Sequence, residues 1–142
     1  YARTLVKFRD YQLHVEWRFP QGPGNSGVFL HLGDEDKVWP NCLEVQLLAG
    51  AAGEVRCNGG SKVAELPSPS AIAVPGIAPG AEKKQSEWNC CDIDCRGNTM
   101  TVRINGVLAN KVSGSSATSG FIGLQSEGRP VEFRNIVIRP LR

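Results

Sequence analysis

Tyr11-Gln12-Leu13-His14-Val15-Glu16-Trp17-Arg18-Phe19 alternates apolar and polar side chains without a break and stops at Pro20. On an extended chain, side chains two residues apart point to the same side. The stretch therefore predicts a strand that buries Tyr11, Leu13, Val15, Trp17 and Phe19 and keeps His14, Glu16 and Arg18 on an outer or edge face. Wound as a helix, the same residues would scatter their apolar groups around the axis. Gln21-Gly22-Pro23-Gly24-Asn25 follows as a turn cluster.

The two-residue period recurs down the chain. Residues 26–32 predict a second strand, with Val28, Leu30 and Leu32 on one face and Phe29 and His31 on the other. Residues 43–48 and 54–58 predict two more. Further strands follow at 88–95, 99–104, 107–112, 121–126 and 131–139, and Asn105-Gly106 gives a strong hairpin signal between two of them. About nine or ten short strands with almost no helical period make an all-β domain. Each strand has one apolar face to bury, so a two-sheet antiparallel β-sandwich is the expected solution. From 61 to 87 the alternation dissolves into Pro, Ala, Ser and Gly, which predicts a long surface loop, either covering one end of a cleft or loose at its tip.

A chain of 142 residues fits a single domain, 1–142, large enough to build a core without obligatory staples. Net charge is +2, with Lys and Arg dispersed, so no basic stripe for nucleic acid exists. No apolar run approaches the ~20 residues of a membrane span. The chain opens at Tyr1 without a Met, which predicts processing or trimming, so the lack of a targeting segment says little about location. Cys42, Cys57, Cys90, Cys91 and Cys95 are odd in number. Cys91 and Cys95 share a face of one strand, roughly 13 Å apart, and cannot bridge to each other. Buried or bridged structural cysteines are expected. No CxxC pair or neighbouring His supports zinc, and Gly33-Asp34-Glu35-Asp36 reads as a solvated turn instead of a calcium loop.

Polar groups fall opposite the apolar faces. Glu44 and Gln46 share one side of a strand whose other side carries Val45 and Leu47. They form either an exposed cross-strand pair or the floor of a polar, sugar-type site. Gln125 and Glu127 share parity with Phe121 and Gly123, and a small residue there leaves room for a ligand. His31 could act as base or acid near neutrality, or sit as a satisfied structural residue. Glu132 and Arg134 lie side by side, as substrate contacts or as an ion pair bracing the sheet. Trp88 offers a stacking platform or a core plug. The side chains of Asn25-Ser26-Gly27 read as caps on backbone groups.

Taken in order, several motifs resemble the 3-keto-disaccharide hydrolase domain family, abundant in Bacteroidetes and related bacteria. They are Asp10-Tyr11-Gln12-Leu13-His14-Val15-Glu16-Trp17-Arg18, Asn25-Ser26-Gly27-Val28-Phe29-Leu30, Leu43-Glu44-Val45-Gln46-Leu47, Ala52-Gly53-Glu54, Glu87-Trp88-Asn89, Val102-Arg103-Ile104-Asn105-Gly106-Val107, Gln125-Ser126-Glu127-Gly128 and Glu132-Phe133-Arg134-Asn135-Ile136. The resemblance implies a concanavalin-like jelly roll with one concave sheet, export to the periplasm or cell surface, a carbohydrate substrate and no cofactor. It also implies at least one further strand before the one expected to open at Leu5, so that the N-terminus is expected to be truncated. Members commonly place an Asp after the Glu-x-Gln segment, where this chain has Leu48-Ala49-Gly50. The resemblance then points to Glu54 as the substitute carboxylate.

The implied chemistry is cleavage of sugars already oxidised to a ketone at carbon 3. That ketone acidifies the carbon-2 proton, so the glycosidic bond can break by elimination and be followed by hydration. The route needs a base near carbon 2, an acid at the leaving oxygen and donors for the enolate oxygen. Glu44, His31 and Glu54 are the candidate catalytic groups, and Gln46, Trp88, Gln125, Glu127, Glu132 and Arg134 the candidate substrate contacts. The rival reading is a non-catalytic carbohydrate-binding module on the same sandwich. A third, an adhesion or scaffold domain, would show a large exposed apolar patch.

Overall fold

The computed structural model describes residues 1–35 and 37–142. Eleven strands run through these residues: β1 (Ala2–Arg3), β2 (Tyr11–Arg18), β3 (Gly27–Leu32), β4 (Cys42–Gln46), β5 (Val55–Asn58), β6 (Ala73–Val74), β7 (Asn89–Arg96), β8 (Thr99–Ile104), β9 (Val107–Val112), β10 (Phe121–Leu124) and β11 (Glu132–Pro140). They form a six-stranded sheet in the order β1-β10-β3-β4-β5-β6 and a five-stranded sheet in the order β11-β2-β7-β8-β9. Every pairing between them is antiparallel. The fold is the two-sheet antiparallel sandwich that the alternation predicts.

The core is the set of inward faces. From the five-stranded sheet come Leu13, Val15, Trp17, Cys91, Ile93, Cys95, Met100, Val102 and Ile104. Val28, Leu30, Leu43, Val45, Val55, Cys57 and Ile122 meet them from the six-stranded sheet. The register enforces this, because Leu13 faces Ile93, and Ile93 faces Val102. At one margin Gly53, with φ +96°, approaches so closely that a Cβ there would lie 2.6 Å from the Ala109 Cβ. Asn105 and Gly106, with φ of 49° and 82°, close the β8–β9 hairpin at the two-residue turn that their sequence demands.

The segment 61–87 contributes the short β6, which pairs with β5 at the sheet edge. It is fastened at several points. Glu65 accepts hydrogen bonds from the Ser113 backbone N–H (2.8 Å) and hydroxyl (2.7 Å), and Glu82 accepts from the N–H groups of Gly50 and Ala52. The Asn110 amide donates to carbonyl oxygens of Gly53, Val74 and Pro75.

One alternation fails. In β3 the pairing to β10 slips, with Phe121 opposite Leu32 but Gly123 opposite Phe29. His31 sits at φ 56°, in the left-handed region. Past this bulge the faces exchange. Leu32 joins Phe29, Cys42 and Phe121 on the outer side of the six-stranded sheet, while His31 turns toward Tyr11, ring centroids 5.6 Å apart. The expected sharing of a face by Phe29 and His31 is thus corrected. So is the expected room at Gly123, since a Cβ there would meet Leu32 Cδ1 at 2.9 Å and the Ala2 carbonyl oxygen at 3.3 Å.

Candidate functional site

Adjacent strands β3, β4 and β5 build a polar patch on the outer face of the six-stranded sheet. Cross-strand register sets Phe29 opposite Glu44 and Glu44 opposite Arg56; one step along, Gly27 faces Gln46, and Cys42 faces Asn58. Glu44 is only 3% exposed. Its carboxylate leans over β3 into the space that Gly27 leaves, since a Cβ at Gly27 would lie 2.4 Å from Glu44 Oε1. The other oxygen accepts a hydrogen bond from Asn58 Nδ2 at 2.8 Å. Burial raises the Glu44 pKa; the Asn58 bond and the Arg56 charge pull against that, and Glu127 and Glu54 add to it. Glu54 in turn lies 3.7 Å from the Arg56 guanidinium.

Around Gly27 stand three amides. Gln125 follows β10 and its backbone N–H donates to the Gly27 carbonyl at 2.9 Å. Asn25 bridges to Glu127 and donates its amide N–H to the Glu127 carboxylate at 2.9 Å, which fixes its carbonyl oxygen on the other side. Five buried side-chain polar atoms among the described residues have no hydrogen-bond partner, and three of them are the amide oxygens of Asn25, Gln46 and Gln125. An unpaired buried acceptor costs roughly 1–3 kcal/mol. Three such acceptors fall on the strands and turns around Gly27, next to Glu44. Gln125 and Glu127 also line a hollow of about 530 Å³ with Tyr1, Phe29, Lys37, Val38, Trp39 and Ser126.

The description 3-keto-alpha-glucoside-1,2-lyase-like domain matches residues 1–139. The chain belongs to this family. Two crystal structures from Parabacteroides distasonis ATCC 8503, both provisionally named glycosyl hydrolases, resemble this lyase-like domain. The first is 25% identical at TM-score 0.74, covering 98% of this chain and 82% of that one. For the second the values are 17%, 0.72, 99% and 76%. The carbohydrate-binding module CBM66 from Bacillus subtilis shares the fold at TM-score 0.66 and 11% identity, over 96% of this chain and 79% of its own. No curated protein matches the sequence closely enough to count as a relative.

Of the candidate residues of this lyase-like domain, Glu44, Gln46, Glu54, Gln125 and Glu127 come together. The others do not. His31 lies on the inner side of the bulge, its Nδ1 2.9 Å from the Ala117 carbonyl oxygen and its Nε2 3.3 Å from that of Arg9. Burial lowers its pKa. Trp88, Glu132 and Arg134 belong to the outer face of the five-stranded sheet. There Arg18 (4.7 Å) and Arg134 (4.1 Å) both lie over the Trp88 ring, while Glu132 pairs with Arg18 at 2.6 Å and Glu16 with Arg134. The ion pair that the sequence offered as the second reading of Glu132 and Arg134 is thus present, with Arg18 and Glu16 as the partners. A hollow of about 520 Å³ on that same sheet is lined by Gln12, His14, Asp92, Asp94, Arg103 and Arg139.

Sequence reading missed Asn58, Arg56 and the role of Gly27. The signal for the first two was present, because residues 54, 56 and 58 share parity just as 44 and 46 do. The part played by Gly27 is a contact between strands, invisible along one. Ser26 does cap backbone, donating to the Gln125 carbonyl at 2.6 Å. Asp36 of the expected solvated turn lies outside the described residues; Asp34 pairs with Lys7 at 2.7 Å and Glu35 with Lys37. No cluster of three or more metal-ligating side chains occurs among the described residues.

Proposed function

We propose that this domain cleaves the glycosidic bond of 3-keto-glycosides on the Glu44 face of the six-stranded sheet. The observation that carries the reading is a buried carboxyl, Glu44, that shares one face of the sheet with the Glu54 carboxylate and the Arg56 guanidinium. In this reading Glu54 takes the carbon-2 proton. The electrons of that C–H bond form the carbon-1–carbon-2 double bond, and the carbon-1–oxygen pair departs with the leaving group. Glu44, whose raised pKa keeps it protonated further up the pH scale, gives its proton to that oxygen. The Arg56 guanidinium, on the same face, offers N–H donors to the carbon-3 oxygen as its negative charge grows. In the reverse sense, water then adds its OH to carbon 1 and gives its other proton to Glu44, while Glu54 passes its solvent-exchanged proton back to carbon 2, so the sum is hydrolysis and both carboxyls are restored. His31, Trp88, Glu132 and Arg134 take no part. We place the reaction in the periplasm or at the cell surface, on the family resemblance.

The test is incubation with 3-keto-trehalose, 3-keto-sucrose and an aryl 3-keto-glucoside in deuterated water. Free sugar should appear carrying deuterium at carbon 2, and E44Q should slow release by roughly 10²–10⁴-fold while remaining folded. Turnover of E44Q within twofold of the parent would remove Glu44 from the mechanism. The likeness in fold to a carbohydrate-binding module favours a second reading, sugar binding without cleavage. No release from any of the three compounds, with retained binding of unoxidised glycans, would select it.

A further inference from the structure

The hollow beside Trp39 is not needed for proton transfer at Glu44, yet it opens from the same face. We propose that it is the leaving-group subsite, taking a flat-faced ring with polar substituents on its rim, the second sugar of a disaccharide or an aryl group. The inference rests on the cleavage reading above and extends it to the part of the substrate beyond the scissile oxygen.

Its lining suits such a ring. Phe29 forms the floor and Tyr1 meets it edge-on, ring centroids 5.3 Å apart. Trp39 stands at the wall 59% exposed, beside Val38 at 81%. A large aromatic held out in water gains by stacking on an apolar ring face. Polar residues share the lining: Lys37, Gln125, Ser126 and Glu127. A hollow of about 530 Å³ that mixes aromatic and aliphatic walls with polar side chains has the size and chemistry to take a ring with polar substituents. Position fixes which half of the substrate it holds. Phe29 is directly opposite Glu44 across the β3–β4 pair, and Gln125 is bonded to Gly27, over which the Glu44 carboxyl leans. A glycoside whose bridging oxygen sits at Glu44 therefore extends its leaving ring over β3 toward Trp39.

The experiment compares 3-keto-trehalose, an aryl 3-keto-glucoside and methyl 3-keto-glucoside, whose leaving group has no ring. In W39A the kcat/KM ratio of each ring-bearing substrate to the methyl one should fall by about tenfold, the scale of an aromatic stacking contact, and W39F should restore most of it. A larger loss for trehalose than for the aryl compound would name sugar as the natural ring, and the reverse would name an aryl group. An unchanged ratio overturns the proposal. A second arm does not depend on turnover: trehalose and phenyl glucoside should shift the Trp39 indole signal in nitrogen-correlated NMR spectra, assigned by its absence in W39F, and methyl glucoside should not. If no keto-glycoside is cleaved but this selective shift is seen, the cleavage reading fails and the ring subsite stands. If cleavage proceeds and the indole signal is unmoved, the subsite alone is refuted.

Discussion

Glu44 and Gly27 act as one unit. The carboxylate occupies the place of the missing side chain on the neighbouring strand, so any larger residue at position 27 would push it off its bond to Asn58. Burial there makes its ionised form costly. The folded protein accordingly keeps a proton on Glu44 at pH values where the unfolded chain has released it, and stability must fall as pH rises from the ordinary carboxylate value through the raised one. Gln carries no charge and can still accept from Asn58. E44Q should thus match the parent in thermal midpoint near pH 4 and overtake it progressively toward pH 8. A difference between the two that stayed constant with pH would show that the buried carboxyl carries no ionisation penalty. Glu16 has the opposite sign: hydrogen bonds from Asn135 and Arg134 hold its pKa down at about 2, so its contribution is present at neutrality and fades as acid is added. The faces of Glu44 and Gln46 were legible in the sequence, because they needed only local alternation. The slot at Gly27 was not, because it depends on which strand lies alongside and in which register.

At the scale of elements, what could be read depended on turns. Thr99–Ile104 and Val107–Val112 were placed to the residue because Asn105-Gly106 allows one hairpin geometry. His31 and Leu32 exchanged faces because β3 carries one extra residue against β10, and nothing local in Val28-Phe29-Leu30-His31-Leu32 announces it. Parity also cannot say to which sheet a strand belongs. Glu132 and Arg134 share a face as predicted, but β11 pairs with β2, which puts them on the far side of the molecule from Glu44. Their work there is mechanical. Trp88 is covered by Arg18 and Arg134, which Glu132 and Glu16 hold in place. Cation–π contacts at a surface are worth about 0.5–1 kcal/mol each. W88A should lower unfolding free energy in urea by roughly 1–2 kcal/mol, without altering release of sugar from 3-keto-glycosides. A loss of turnover in a variant of parental stability would return Trp88 to the active site.

Across the whole molecule, the two sheets divide the labour. Their inner faces make the core and hold Cys91 and Cys95, the outer six-stranded face holds the carboxylates and amides, and the outer five-stranded face is laced by ion pairs. Cohesion comes from packing, not from cross-links: all five cysteines are free, and burial pushes the Cys42 and Cys95 thiols up to about 12. A reducing agent should therefore leave the thermal midpoint unchanged, and a drop on reduction would reveal a disulfide. Four of these thiols are buried, whereas Cys90 is half-buried and lies across from Glu16, on the sheet that does not carry Glu44. Burial and the neighbouring Asp92 raise its pKa, so it becomes nucleophilic only in alkaline solution. A bead coated with a pyridyl disulfide, which exchanges with thiolates and not with amines, would at that pH grip the protein by its back and leave its sugar-facing side toward the solution.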